Sequence, residues 1–334
     1  MRATGQADVL EPLRGKDNKN MESEMMRVAH ETAANLPGTV RRGASPLGRL
    51  LSCIRFDEVF VLQGTPLLGA LYSIGGLTSE KAVALLVLLA SSCCLVSHVF
   101  VLNDWSGASA DLRDPNRAAR AFVNRGIGRT EIYYLGMALL ALSLLLLSPF
   151  GLRTLVIVLA IAGLSVLYSA PTIHVKGIPL LSSVLHLIGG MLHFLLGYSL
   201  FSAVDTRGLK IGCFFALIFA AGHLTHEARD RDGDMLNGTK TNAVTFGKEC
   251  SFAAGLAFFT IATGLLVLLA VHGTVPRPLV LVGAFYPLQL YWSLQTLHAG
   301  LDFASIRRLQ VRYRVLYAII GVIMVVTVLL DRRN

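Results

Sequence analysis

Two short stretches place carboxylates at helical spacing. The first reads Asn103-Asp104-Trp105-Ser106-Gly107-Ala108-Ser109-Ala110-Asp111-Leu112-Arg113-Asp114, and the second Glu227-Ala228-Arg229-Asp230-Arg231-Asp232-Gly233-Asp234. Asn103, Gly107 and Asp111 stand at i, i+4 and i+8, Asp104 and Asp111 at i and i+7, and Glu227, Asp230 and Asp234 at i, i+3 and i+7. On a helix each of these sets shares one face. Stacked like charges repel unless a cation neutralises them, and carboxylate oxygens suit a hard divalent ion. Mg²⁺ takes one or two carboxylates from a protein and completes its octahedron with phosphate and water. Two such stacks facing each other would hold two Mg²⁺ ions with a diphosphate between them. Neighbouring Arg and Lys would bind the remaining anionic oxygens. Either cluster taken singly also reads as a solvated loop; two of them at corresponding helix ends favour the shared site.

The elements that must position these acids are membrane helices. The chain is 54% hydrophobic and only 15% charged, with a mean hydropathy of +0.59, whereas soluble domains carry about 25% charged residues. This excludes a disordered chain, a collagen and a disulfide scaffold, and argues against an ordinary water-soluble enzyme. The 5 cysteines form no CxxC and no metal spacing, and read as small buried apolar residues. A spanning helix needs about 20 apolar residues. Nine segments approach this: Phe56–Gly75, Ala82–Leu102, Ile132–Leu147, Leu155–Tyr168, Pro179–Phe201, Ile211–His226, Phe252–Val271, Leu279–Leu294 and Val315–Leu330. The third, fourth, sixth, eighth and ninth are short, so their ends are expected to extend into flanking polar residues. Ser148-Pro149-Phe150-Gly151 is a turn signal between the third and fourth. The acid clusters follow spans two and six.

The net charge of +9 has a topological explanation. The connections after spans two, four, six and eight carry 14 basic residues: Arg113, Arg117, Arg120, Arg125, Arg129, Lys176, Arg229, Arg231, Lys240, Lys248, Arg307, Arg308, Arg312 and Arg314. The opposite connections carry 5, namely Lys81, Arg153, Arg207, Lys210 and Arg277. That bias places the N-terminus in the cytoplasm and the C-terminus on the other side, and accounts for the basic pI with no nucleic-acid partner. Residues 1–49 are polar and of mixed charge, without an apolar run of seven. They read as a mobile cytosolic tail, with a short surface helix near Met21–Ala34 and no secretory signal peptide. Asp8 and Glu11 argue against a mitochondrial transit peptide, and a start at Met21 would lose nothing needed for folding. Residues 50–334 form the membrane domain.

At this point the sequence resembles the UbiA superfamily of intramembrane prenyltransferases. Its first motif, NDxxDxxxD, corresponds to Asn103-Asp104-x-x-Gly107-x-x-x-Asp111, with glycine in place of the middle Asp. Its second, DxxGDxxxGxxT, corresponds to Asp230-x-x-Gly233-Asp234-x-x-x-Gly238-x-x-Thr241. A Tyr-(Ser/Thr)-x-Pro stretch leading to a lysine is matched by Tyr168 to Lys176, and a basic, Tyr-containing entry to the last helix by Arg307–Tyr317. The resemblance covers about residues 50–330. It implies an all-α bundle of about nine transmembrane helices around a central cavity open to the cytoplasm and laterally to lipid. It also implies Mg²⁺-dependent transfer of a prenyl group from a polyprenyl diphosphate donor to an acceptor, often aromatic, within the bilayer.

On this reading Asn103, Asp104 and Asp111 hold one Mg²⁺, Asp230 and Asp234 the other with help from Glu227, and Lys176 with Arg117 or Arg120 binds diphosphate oxygens. Tyr168 either lines the carbocation site or is an interfacial belt residue. Asp114 is a candidate to compensate for Gly107. The run Asp114-Pro-Asn-Arg117-x-x-Arg120 keeps open phosphoribosyl transfer to a polyprenyl phosphate; terpene cyclisation on the same framework is a further variant. Asp57 and Glu58 open the first span near the cytosolic edge, where exposure is cheap, with acceptor binding as the alternative. His98, His186, His193 and His223 lie within spans and are expected to face the bundle or a cavity. They form no metal spacing with the acids. Arg207 and Lys210 read as solvated charges. From a different class, a cation-coupled transporter would place acids near mid-membrane, often in inverted repeats; here they cluster at helix ends and no repeat is visible.

Overall fold

The computed structural model describes residues 45–331 except Pro171, and the side chains of Pro46 and Arg120 lie outside the described set. The predicted tail, with its helix at 21–34, therefore falls almost wholly outside the described residues. What is described is helical, with no strand: α1 Pro46–Leu51, α2 Phe56–Leu62, α3 Gly64–Ser73, α4 Ser79–Arg113, α5 Arg129–Leu147, α6 Leu152–Ser169, α7 Leu181–Tyr198, α8 Thr206–Leu236, α9 Asn242–Phe246, α10 Lys248–Val271, α11 Tyr286–His298 and α12 Phe303–Asp331. Among the described residues, seven helical segments are long and apolar enough to cross a membrane: α4, α5 with its 3₁₀ extension to Phe150, α6, α7, α8, α10 and α12. The chain is a multi-pass membrane protein.

The remaining two predicted spans are present as broken helices. The first divides into α2 and α3 around Gln63, whose side chain turns back to donate to Val59 O at 2.8 Å. Pro66 lacks an N–H, so the carbonyl four residues earlier loses its helical partner, and Gly64 relaxes the backbone there. The eighth begins as a 3₁₀ stretch, Arg277–Phe285, and becomes α-helical only at α11, where Pro287 occupies the first turn. Proline is tolerated there but disfavours helix in the residue before it. The short predicted spans do extend into polar flanks. α5 starts at Arg129, α6 at Leu152, and α12 at Phe303, twelve residues before the apolar run. Gly151, at φ 91°, makes the sharp reversal between α5 and α6.

Consecutive helices neighbour one another around the molecule, and α12 packs back against α3 to close the ring. α3 and α7 approach so closely that glycine is obligatory on both. A Cβ at Gly69 would lie 2.0 Å from Phe194 O, and one at Gly197 1.7 Å from Pro66 O. Small residues let backbones meet in membranes, where helix association depends on van der Waals packing. Gly197→Val should therefore cost well over the about 1–3 kcal/mol of ordinary overpacking, because the obstacle is backbone. We expect little monodisperse protein from this variant in size-exclusion chromatography; a wild-type elution profile would show that the two helices can separate freely.

Large apolar side chains such as Leu145, Leu152 and Leu281 project from the outer surface, as lipid contact requires. This also corrects the reading of the cysteines. Cys53 is buried and Cys93 and Cys94 are half-buried, but Cys213 and Cys250 are exposed. On the outer face of a membrane helix a small apolar side chain is as well accommodated by lipid as by protein.

Candidate active site

α4 runs unbroken through its acid cluster to Arg113, and α8 through its own to Leu236. The helical spacing read from the sequence is thus realised on both. The two ends are fastened together. Arg113 Nε donates to Asn237 Oδ1 at 2.8 Å, and Asn237 Nδ2 donates to Ala110 O at 3.2 Å. Gly233, within the second motif, leaves room for Asp114 at this seam: a Cβ there would stand 2.3 Å from Asp114 Oδ2 and displace that carboxylate. Asp114 itself is buried, accepts from Asn116 N at 2.9 Å, pairs with Arg117 Nε at 3.4 Å and does not line the central chamber. It closes the turn after α4. It is not a substitute for the acid missing at Gly107.

The chamber inside the ring measures about 1480 Å³. Along α4 its lining runs from Leu85 to Asp111, and along α12 from Phe303 to Leu329. At 1.5 Å per residue the α4 stretch spans roughly 40 Å. One end is apolar, with Leu85, Ile161, Phe215, Met324 and Leu329; the other carries Asn103, Asp104, Asp111, Arg117, Lys176, Asp230 and Asp234. Seven of the predicted site residues therefore meet at one mouth. The side chain of Arg120 is outside the described residues.

The mouth is knitted by charge pairs. Arg117 reaches both acid stacks: Nη1 lies 3.4 Å from Asp111 Oδ1, and Nη2 binds Asp230 Oδ2. Burial pulls the Arg117 guanidinium towards neutrality, but Asp230, Asp111 and Asp234 together hold its pKa above the ordinary value. Lys176 Nζ is 3.6 Å from Asp234 Oδ1. Three cations not singled out from the sequence join them. Arg55 binds Asp104 through two nitrogens, Arg229 binds Asp230 at 2.6 and 2.8 Å, and Arg314 lies 3.9 Å from Glu58. Burial opposes the charge on Arg55, yet Asp104 and Glu58 raise its pKa overall. Arg229 is visible inside the second motif. Arg55 had no signal beyond its i, i+3 spacing to Glu58, because it stands before the first span. Glu58 is thus engaged with Arg55 and Arg314 at the mouth, whereas Asp57 is exposed.

Glu227 departs from expectation. Its Oε1 accepts from Ser182 Oγ at 3.3 Å and faces His223 Nε2 at 3.1 Å; its Oε2 accepts from Asn242 N at 3.1 Å and Asn242 Nδ2 at 2.8 Å. A carboxylate offers about four lone-pair sites, so its capacity is filled by protein and none remains for a metal. Asn242 is the hub that the sequence reading missed. Its Oδ1 also accepts from Leu180 N at 2.7 Å, which ties the Lys176 loop to α8. That loop holds His174 and Leu180 at φ 46° and 62°, a strained geometry for residues with a Cβ. The available signal was its position directly after Thr241, whose side chain caps α9.

Tyr168 lines the chamber, with its ring edge-on to His186 at 5.1 Å. His186, His193 and His223 also line the chamber, while His98 is buried against Gly136 O at 2.8 Å. Among the described residues no three acidic, histidine or cysteine side chains come together as a ready-made metal cage.

Solved structures share this fold. A UbiA homologue from Archaeoglobus fulgidus bound to GPP and Mg²⁺ superposes with a TM-score of 0.65 at 17% identity, over 86% of this chain and 100% of that one. A structure of digeranylgeranylglyceryl phosphate synthase gives 0.63 at 17% identity, over 84% and 98%. An apo UbiA homologue from Aeropyrum pernix K1 gives 0.64 at 16%, over 83% and 99%. No curated protein sequence matches the chain. The model of the UbiA prenyltransferase family matches residues 64–327. The acid-bearing helix ends, the ring of helices and that match agree: the chain belongs to the UbiA prenyltransferase family.

Proposed function

We propose that this protein transfers a prenyl group from a polyprenyl diphosphate to a second molecule in the membrane, with an aromatic ring as the favoured acceptor, and that it requires Mg²⁺. The observation that carries the reading is the mouth itself. Carboxylates from two helices and the cations Arg117 and Lys176 converge at one end of a long apolar chamber. A polyprenyl diphosphate has that same division, with an anionic head and a lipid-soluble tail. The A. fulgidus homologue's GPP and Mg²⁺ are consistent with it.

The donor set fits Mg²⁺. All the candidates are hard oxygen ligands, and the lack of a protein cage agrees with an ion that takes one or two carboxylates and shares the substrate's phosphates. Asn103, Asp104 and Asp111 would hold one ion, Asp230 and Asp234 the other. When bound, the metal stabilises negative charge on the departing diphosphate. Lys176 and Arg117 are placed to exchange their carboxylate partners for diphosphate oxygens. The apolar walls keep water from the allylic cation, and Tyr168 offers it a ring face. The charge bias across the membrane supports a cytoplasmic mouth and N-terminus, the C-terminus opposite, and side access from lipid.

The test is a screen of purified protein with Mg²⁺, a series of allylic diphosphates and lysate acceptors, read by mass spectrometry. A product heavier than an acceptor by one prenyl unit is expected; absence of diphosphate release at every chain length would end the reading. A milder prediction concerns the altered first motif. A Cβ at Gly107 would meet only Asp111 Oδ2 at 4.0 Å, so the backbone there accepts a side chain. We expect activity within about threefold of wild type, since Asp104 and Asp111 already supply the one or two carboxylates that Mg²⁺ takes. A hundredfold loss would mean the mouth is arranged around the glycine.

A further inference from the structure

The chamber wall beside Tyr168 carries a group that the reading above leaves unused. The rings of His186 and His223 stack in parallel, with centroids 3.7 Å apart and planes 8° from one another. Each ring has one nitrogen fixed as a donor. His186 Nδ1 stands 2.8 Å from Ser182 O, and a carbonyl only accepts. His223 Nε2 stands 3.1 Å from Glu227 Oε1. The remaining nitrogens, His186 Nε2 and His223 Nδ1, have no hydrogen-bond partner among the described residues, and both rings line the chamber. A buried carboxylate behind an imidazole fixes its tautomer and stabilises the imidazolium that forms when it takes a proton. Glu227 has this position relative to His223 and is itself anchored by Asn242 and Ser182.

We infer that His223 is the proton acceptor of the reaction, with Glu227 as its positioning residue. The inference rests on the prenyl-transfer reading. The C1–O bond breaks and its electron pair stays with the diphosphate. The acceptor supplies the pair that bonds to C1 and in doing so must lose a proton. His223 Nδ1 takes that proton while Nε2–H stays on Glu227, and the imidazolium later gives it to water or to the released diphosphate. A water-poor chamber makes such a group necessary, because solvent is not there to take the proton. General bases of this kind contribute about 10²–10⁴-fold.

The experiment separates proton loss from ionisation and needs no acceptor. Wild-type protein is given geranyl diphosphate and Mg²⁺ alone. An allylic cation formed in the chamber either loses a proton to a base, giving a triene, or captures water, giving an alcohol. Wild type should release both. His223→Gln keeps an N–H for Glu227 but has no basic nitrogen. Among the products it releases, the triene-to-alcohol ratio should fall at least tenfold. Glu227→Gln, which preserves shape, should lower the ratio several-fold and serves as the second variant if the first does not fold. An unchanged ratio in either active variant, or wild-type alcohol with no triene, overturns the inference. Wild type that releases no diphosphate overturns the prenyl-transfer reading instead, and this inference with it.

Discussion

Asp230→Asn should reduce diphosphate release on the order of 10²–10³-fold, the cost of removing one preorganised charge-stabilising group at a reacting centre, and leave the fold in place. Asp230 is the point where the two acid stacks meet. It accepts from Arg229 on its own helix and from Arg117 across the gap. The amide has the same shape, so packing survives. Both arginines keep other partners: Arg117 retains Asp111 and Asp114, and Arg229 retains Gln310 at 2.6 Å. No buried cation is stranded, which is the usual cause of large destabilisation when one partner of a pair is removed. What is lost is the charge of a proposed metal ligand and half of the bridge that aligns α8 with α4. The measurement is diphosphate release by the detergent-purified variant beside its size-exclusion profile. A wild-type elution with residual activity near wild type would remove Asp230 from the site.

Local spacing was what the sequence displayed best. Asp104 and Asp111, and Asp230 and Asp234, were legible as two faces because α4 and α8 continue as helix past the apolar run, and helical periodicity then dictates which residues align. The long spans were legible from hydropathy for the same reason. The breaks at Gln63 and before Tyr286 were less so: a hydropathy window adds up apolar residues and does not register the lost hydrogen bond at a proline. Partnerships across distant segments were not legible. Arg55 with Asp104, and Glu227 with Asn242, join residues whose proximity exists only once the ring has closed. Glu227 shows the cost of reasoning from spacing alone. It lies on the same face as Asp230 and Asp234, yet one turn deeper it meets Ser182 of α7, Asn242 after α8 and His223 on its own helix, and they fill the carboxylate. Asp114 shows the converse. It stands near the altered motif in sequence, but its carboxylate is taken up by Asn116 and Arg117 in the space that Gly233 leaves between the helices.

Removing Mg²⁺ should abolish diphosphate release by the wild-type protein, and charge at the mouth gives the reason. Four carboxylates, Asp104, Asp111, Asp230 and Asp234, are matched by four cations, Arg55, Arg117, Arg229 and Lys176, in direct pairs. The mouth is close to neutral as it stands. A diphosphate head entering alone brings uncompensated negative charge into a partly buried site, and such burial is costly unless the charge is paired. The cations cannot meet it without abandoning their carboxylates, which would then be the unpaired group. Divalent ions would resolve both requirements: held by Asp104, Asp111, Asp230 and Asp234, they would neutralise the acids and supply positive charge for the diphosphate, leaving Arg117 and Lys176 to contact its oxygens. Chelation with EDTA should therefore bring release to background, and added Mg²⁺ should restore it in full. Since the protein cations already satisfy the acids, the same treatment should leave the thermal unfolding of substrate-free protein unchanged. Activity that survives chelation would show that the arginines alone stabilise the leaving group, and a large drop in thermal stability would show a structural metal instead.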